Sequence, residues 1–216
     1  MKVLYEDNHL IAVFKPHGIL VQGDIGGERC LMDEVKDYLK EKYKKPGNVF
    51  LGLLHRLDRP VAGIVLFAKT SKGASRLSEQ FRNHSVEKIY YCLVAGQRKE
   101  TAGTLINWLK KDEKKNKVEV FDQETVGARR AELDYALVKK IGCQSLLKII
   151  LKTGRSHQIR AQLSQIGYPI IGDIKYGSKH KFKPGAIALS AEKLSFTSAT
   201  QAKPVVIEAH FLSKGL

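Results

Sequence analysis

His55-Arg56-Leu57-Asp58-Arg59-Pro60-Val61-Ala62-Gly63-Ile64-Val65-Leu66-Phe67-Ala68 joins a charged turn to an apolar strand. An acid between two arginines and a proline is poor core material. It is well suited to hold one carboxylate ionised at a strand edge, because a close arginine favours the charged form. That points to a nucleophile or a general base, since a proton donor needs the opposite shift. The plainer alternative for Asp58 is a salt-bridged loop residue or a turn into Arg59-Pro60. Pro60 stiffens the exit, and Gly63 allows another backbone to approach closely.

Outward from this stretch the chain alternates irregularly. Val3–Tyr5 and Leu10–Phe14 read as strands joined by a turn, and Lys15-Pro16-His17-Gly18 ends the second. Leu31, Val35 and Leu39 recur at helical spacing, which predicts a helix over Leu31–Tyr43. Val49–Leu54 reads as a strand leading into the Asp58 turn. Thr70 or Ser71 is placed to cap a helix running to about Asn83. Strands are expected at Ile89–Val94, Ala131–Val138, Ser145–Leu151 and Val205–Ala209. A hairpin of Leu105–Leu109 and Val118–Phe121 is expected around the basic turn Lys110–Lys117. A last helix is expected over His157–Ile166, capped by Ser156. Many strands with few helices predict an α+β fold with a mostly antiparallel sheet, as one domain over residues 1–216.

Lysine and arginine outnumber aspartate and glutamate 37 to 22, a net charge of +15. Such an excess suits a polyanionic partner, nucleic acid before membrane surface, although a lysine-rich solvated surface has the same signature. Cys30, Cys92 and Cys143 are far apart and form no CxxC. This argues against a disulfide framework and against a zinc site, and free thiols fit a reducing cytosol. The first residues are charged where a signal peptide is apolar, and no run approaches the ~20 apolar residues of a membrane helix.

Three further segments carry chemistry. Thr153-Gly154-Arg155-Ser156-His157-Gln158-Ile159-Arg160 brings a glycine turn to a helix start flanked by Arg155 and Arg160. It suits a phosphate or a partner carboxylate, or else a merely solvated basic cap. In Glu87-Lys88-Ile89-Tyr90-Tyr91-Cys92, alternation puts Lys88 and Tyr90 on one face and Tyr91 on the other. One tyrosine then faces the core and the other a cleft, where an aromatic beside a lysine can stack on a base. Gly167-Tyr168-Pro169-Ile170-Ile171-Gly172-Asp173-Ile174-Lys175-Tyr176-Gly177 is a folded loop next to a strip holding Lys175, Lys179, His180, Lys181 and Lys183. That strip and the basic turn can follow a phosphate backbone. The chain has no GxxxxGK[ST], HExxH or GxSxG pattern.

Taken in order, H-R-L-D with its glycine and strand, E-K-x-Y, T-G-R-S-H-Q-I-R and G-Y-P-I-I-G-D-x-K-Y-G resemble the RluA-type pseudouridine synthases across nearly the whole chain. The resemblance implies the pseudouridine synthase fold and cofactor-free, metal-free isomerisation of uridine in ribosomal or transfer RNA. Asp58 matches the catalytic aspartate, Tyr90 the active-site tyrosine, and Arg160 the arginine that pairs with the aspartate. Arg56 matches the residue that displaces the target base, and Leu189 an apolar residue lining the pocket. RNA contact is expected from Arg59, Lys88, Arg155, His157 and Lys175. Val61-Ala62 stand where the family commonly has Thr-Ser, and Leu189-Ser190-Ala191 where it has Leu-His-Ala. No S4-like RNA-binding domain is expected ahead of the catalytic domain, and a cytoplasmic monomer is expected. A non-catalytic RNA-binding or assembly protein that keeps the fold is the alternative from another class.

Overall fold

The computed structural model describes residues 1–24, 26–97 and 100–214. These carry strands β1 (Lys2–Glu6), β2 (Leu10–Lys15), β3 (Gly52–Leu53), β4 (Ala62–Ala68), β5 (Glu87–Ala95), β6 (Ala102–Asp112), β7 (Lys117–Phe121), β8 (Arg129–Ile141), β9 (Gln144–Leu151), β10 (Leu189–Thr197) and β11 (Pro204–Glu208). Helices α1 (Leu31–Lys42), α2 (Ser71–Arg82) and α3 (Gln158–Gln165) and a 3-10 turn at Ile174–Tyr176 complete the set. The chain forms two compact units. One is Met1–Val86 with Ala191–Phe211, and the other is Glu87–Ser190 with a short tail from Leu212. The fold is α+β with a mixed, mostly antiparallel strand arrangement, as expected from the sequence.

In the first unit β2 pairs antiparallel with β1 on one side and β4 on the other, and β10 pairs antiparallel with β11. Every residue of β4 is buried, so its apolar run is spent on both faces of the strand. Leu10, Ala12, Ile64, Leu66, Leu77, Leu194, Phe196 and Ile207 share one core, into which α2 projects Leu77. The Thr70 hydroxyl accepts the Gly73 N–H and caps α2. Gly63 has φ +129°, and a Cβ there would collide with the backbone of Ala191 on β10. The close approach expected of Gly63 is therefore made by that strand.

The second unit orders its strands β5-β9-β8-β6-β7, with each neighbouring pair antiparallel. Antiparallel pairing throughout lets these strands join without a crossover helix. Leu109, Val118, Ala131, Ala161 and Tyr176 make a smaller core where α3 meets the β6–β7 hairpin.

Four expectations need correction. Only Gly52–Leu53 of Val49–Leu54 is strand, because Val49 and Leu51 are buried by their side chains without joining a ladder. The β6 strand runs through Lys110 and Lys111 to Asp112, so the hairpin turn is shorter than Lys110–Lys117. Helix α3 begins at Gln158 rather than His157. His157, at a left-handed φ of +49°, is the N-cap and no side chain caps the helix, so Ser156 does not cap it; the Gln158 side chain instead accepts the Arg155 N–H at 3.0 Å. The region after α3, expected to hold only loop and short strands, contains the nine-residue strand β10, whose buried Ser190 and Glu192 break the apolar pattern.

Glu6 ties the first unit together. Its carboxylate accepts from Lys69 Nζ at 2.6 Å, Tyr43 Oη at 2.6 Å, Lys42 Nζ at 2.7 Å and Tyr38 Oη at 3.2 Å. Burial pushes this carboxyl up, but the bonds from Lys42, Lys69 and Tyr43 outweigh it and hold it at about 2. The folded value lies below the ordinary 4.5, so the unfolded chain binds more protons between those two pH values. The stability Glu6 confers is therefore full above pH 4.5 and lost as pH falls towards 2. Urea titrations should show Glu6→Gln less stable than the native chain by about 1–3 kcal/mol at pH 7. That gap should close in acid, and a gap independent of pH contradicts this account.

Candidate active site

Asp58 is half-buried on a turn closed by the Val61 N–H donating to the Asp58 carbonyl at 3.0 Å. The turn is clamped against the Pro16–Ile19 loop from several sides. The Gly18 N–H donates to the Arg59 carbonyl at 2.9 Å, and Arg59 Nε donates to the Gly18 carbonyl at 2.9 Å. His17 Nδ1 bonds the Pro60 carbonyl at 2.8 Å. Beneath them sits Lys15, fully buried at 0% exposure. Its Nζ donates to the carbonyls of Ile19 at 2.9 Å, Pro16 at 3.1 Å and Arg59 at 3.1 Å. Burial pushes the Lys15 ammonium down; the Asp58 charge raises it in part and Arg59 lowers it again, leaving it at about 8. Asp58 thus has a buried cation within electrostatic reach, supplied by a lysine 43 positions earlier.

The other members of the stretch divide their work. His55 Nε2 accepts the Leu66 N–H at 3.0 Å, and its ring stacks on Phe81 with centroids 5.1 Å apart. A neutral His55 in this arrangement keeps its proton on Nδ1 and pins the turn to β4 and α2. Arg59 directs its Nη2 to Glu28 at 2.8 Å, so its charge is shared with a surface acid. Arg56 is exposed, and its guanidinium makes no hydrogen bond or ion pair among the described residues.

In the second unit Lys88 and Tyr90 are both buried on one face of β5, at 8% exposure each, while Tyr91 is half-buried on the other. Arg160, on the first turn of α3, is 5% exposed. Its Nε and Nη2 grip Asp173 Oδ2 and Oδ1 at 2.7 and 2.9 Å, a bidentate pair. Tyr176 organises the surroundings. Its ring lies under the Arg160 guanidinium at 5.1 Å, and its hydroxyl accepts the Val118 N–H at 2.8 Å and meets His157 Nδ1 at 2.9 Å. His157 and Arg160 are therefore brought together through Tyr176. Arg155 is fixed by Nε donating to the Arg130 carbonyl at 3.0 Å, and Lys175 by Nζ donating to the Asn116 carbonyl at 3.1 Å. Leu189 is buried at the start of β10.

Sequence reasoning missed Lys15, Asp173 and Tyr176. In the sequence Lys15 marks only the end of a strand, and Asp173 and Tyr176 stand within a loop motif that assigns them no role of their own. Among the described residues no group of His, Cys, Asp and Glu is arranged to hold a metal ion, and no helix is long and apolar enough to cross a membrane.

This architecture is found among solved structures. Human RNA Pseudouridylate Synthase Domain Containing 4 matches with a TM-score of 0.81 at 22% identity, covering 97% of this chain and 88% of that one. Human RNA Pseudouridylate Synthase Domain Containing 1 matches with a TM-score of 0.77 at 19% identity, covering 97% and 83%. Both show the fold. The family model described as RNA pseudouridylate synthase matches residues 9–165, and this chain belongs to that family. The chain is 33% identical to a ribosomal large subunit pseudouridine synthase C of Buchnera aphidicola, over 96% of this chain and 66% of the relative. It is 32% identical to a tRNA pseudouridine synthase C of Haemophilus ducreyi, over 97% of this chain and 90% of the relative. The chain thus spans just under two thirds of the length of the ribosomal relative.

Two consequences of this geometry are measurable. Lys15→Met removes the shared donor to the two loops, so amide exchange at Gly18 and Val61 should quicken by about tenfold, the equivalent of one hydrogen bond worth ~1.4 kcal/mol. Unchanged exchange at both amides contradicts the clamp. Asp173→Asn leaves a buried guanidinium without its counter-charge and should cost about 3–5 kcal/mol in urea unfolding. A loss below about 1 kcal/mol would mean that Asp173 does not hold Arg160.

Proposed function

We propose that this chain isomerises uridine to pseudouridine in structured RNA, ribosomal or transfer, with Asp58 as its catalytic carboxylate and without a cofactor. The observation that carries the reading is the Asp58 turn. A half-buried acid is fixed by backbone bonds on both sides and faces a buried lysine, on a chain with net charge +15. An acid kept in this way on a basic protein works against RNA binding, so binding alone gives no reason to keep it. Family membership and relatives named for ribosomal and transfer RNA support the same substrate class.

The reaction breaks the N1–C1′ bond, turns the uracil, and joins C5 to C1′. The proton lost from C5 is balanced by the one gained at N1, so no oxidant or co-reactant is needed. The Asp58 carboxylate acts on the sugar or the base. Arg160, held by Asp173 and Tyr176, is the arginine that the family resemblance assigns to Asp58. Tyr90 packs on the uracil and assists loss of the C5 proton, and Leu189 lines the pocket. The exposed Arg56 helps displace the target base, which must leave its stack at a cost of a few kcal/mol, a requirement that favours loops and bulges. Arg59, Lys88, Arg155, His157 and Lys175 contribute RNA contact. In this reading residues 1–216 act as one catalytic domain, monomeric and cytoplasmic.

RNA carrying tritium at uridine C5 tests the reading. The native chain should release tritium to water. Asp58→Ala should release none above background while keeping most of its RNA affinity. Equal release by both chains excludes Asp58 as the catalytic group, and release by neither returns the chain to a binding role.

A further inference from the structure

We infer that Lys88 Nζ and the turn Thr153-Gly154-Arg155-Ser156 form a seat for one phosphodiester group of the RNA, an inference that rests on RNA being the partner. Two lysines are buried among the described residues, Lys15 and Lys88. Lys15 is satisfied by three carbonyls. Lys88, at 8% exposure, has no hydrogen bond or ion pair among the described residues. Desolvation alone acts on it, pushing its ammonium below the ordinary lysine range. A lysine side chain this buried, with no protein partner for its ammonium among the described residues, is costly, and replacing it with an apolar side chain is commonly stabilising. Such a lysine is explained when an anion completes the site.

The turn supplies the rest of the seat. Lys88 Nζ lies 3.9 Å from the point where a Cβ would stand on Gly154. Gly154 is exposed and carries no side chain, so the ammonium can be reached from solvent across it. The N–H groups of Gly154 and Ser156 have no acceptor among the described residues. Arg155 is held in place by its Nε bond to the Arg130 carbonyl. The same turn borders a cleft of about 460 Å³ lined also by Lys110, Lys111 and Arg129. The acid there, Glu113, is already paired with Lys111 at 2.6 Å. A positive cleft bordered by the same turn as this partnerless ammonium matches a phosphate backbone, with one charge per group along its length.

Lys88→Met and Gly154→Val test the seat through the salt dependence of RNA binding. The first removes the charge at similar length. The second keeps Lys88 and lays a branched side chain between it and solvent, so it decides the question should the first fail to fold. Filter binding of a stem-loop RNA from 50 to 300 mM KCl should show the slope of log affinity against log salt reduced by about 0.7–0.9 in each variant, the loss of one phosphate contact. Lys88→Arg should keep the native slope. Native slopes in both Lys88→Met and Gly154→Val overturn the seat. The native chain is the control for the wider reading. If it binds RNA with a steep slope but releases no tritium, the synthase reading fails while the seat can still be read. If it releases tritium and the variants keep their slopes, the seat alone fails.

Discussion

The buried ammonium of Lys15 is the constraint on which the first unit's site depends. It sits at the end of β2 under two loops that have no regular structure of their own, and it donates to a carbonyl from each. Without those bonds the two loops would be joined, among the described residues, only by the Gly18–Arg59 and His17–Pro60 contacts. With them, the carboxylate's backbone is fixed from below, and a positive charge stands within its field. Burial lowers the lysine and the acid raises it in part, leaving it at about 8. The acid therefore stabilises the charged form of the lysine. The strand that follows, fully buried β4, gives the turn a rigid base, and Gly63 admits β10 alongside it.

A second fixed pair organises the other unit. Arg160 could have been a surface arginine at a helix start. Instead Asp173 holds two of its nitrogens, Tyr176 backs its plane, and α3 begins only after His157 has taken a left-handed turn. Planar bidentate pairing fixes the direction of the guanidinium as well as its charge.

Much of this was legible in the sequence, for physical reasons that differ by element. The α1 stripe of Leu31, Val35 and Leu39 and the Thr70 cap of α2 are local signals, and both appear where the spacing puts them. The long antiparallel strands of the second unit announce themselves by alternation. β10 does not, because a strand that buries Ser190 and Glu192 has no apolar pattern to read. Asp58, Tyr90 and Arg160 stood out through their motifs, yet their local supports did not. Lys15 comes from 43 positions before Asp58, and Asp173 from 13 after Arg160. Contacts of that kind are set by tertiary packing and leave no local spacing. The partnerless burial of Lys88 is likewise a property of three dimensions, since in sequence it is one lysine among many.

The most direct measurement of the central claim is a map of pseudouridine in cellular RNA, read by carbodiimide modification and primer extension. Cells lacking this gene would be compared with cells in which the native chain or an Asp58→Asn chain is restored. The account predicts one or a few uridines whose stops vanish on deletion, return with the native chain, and stay absent with the variant. An identical pattern of stops in all the strains would contradict it.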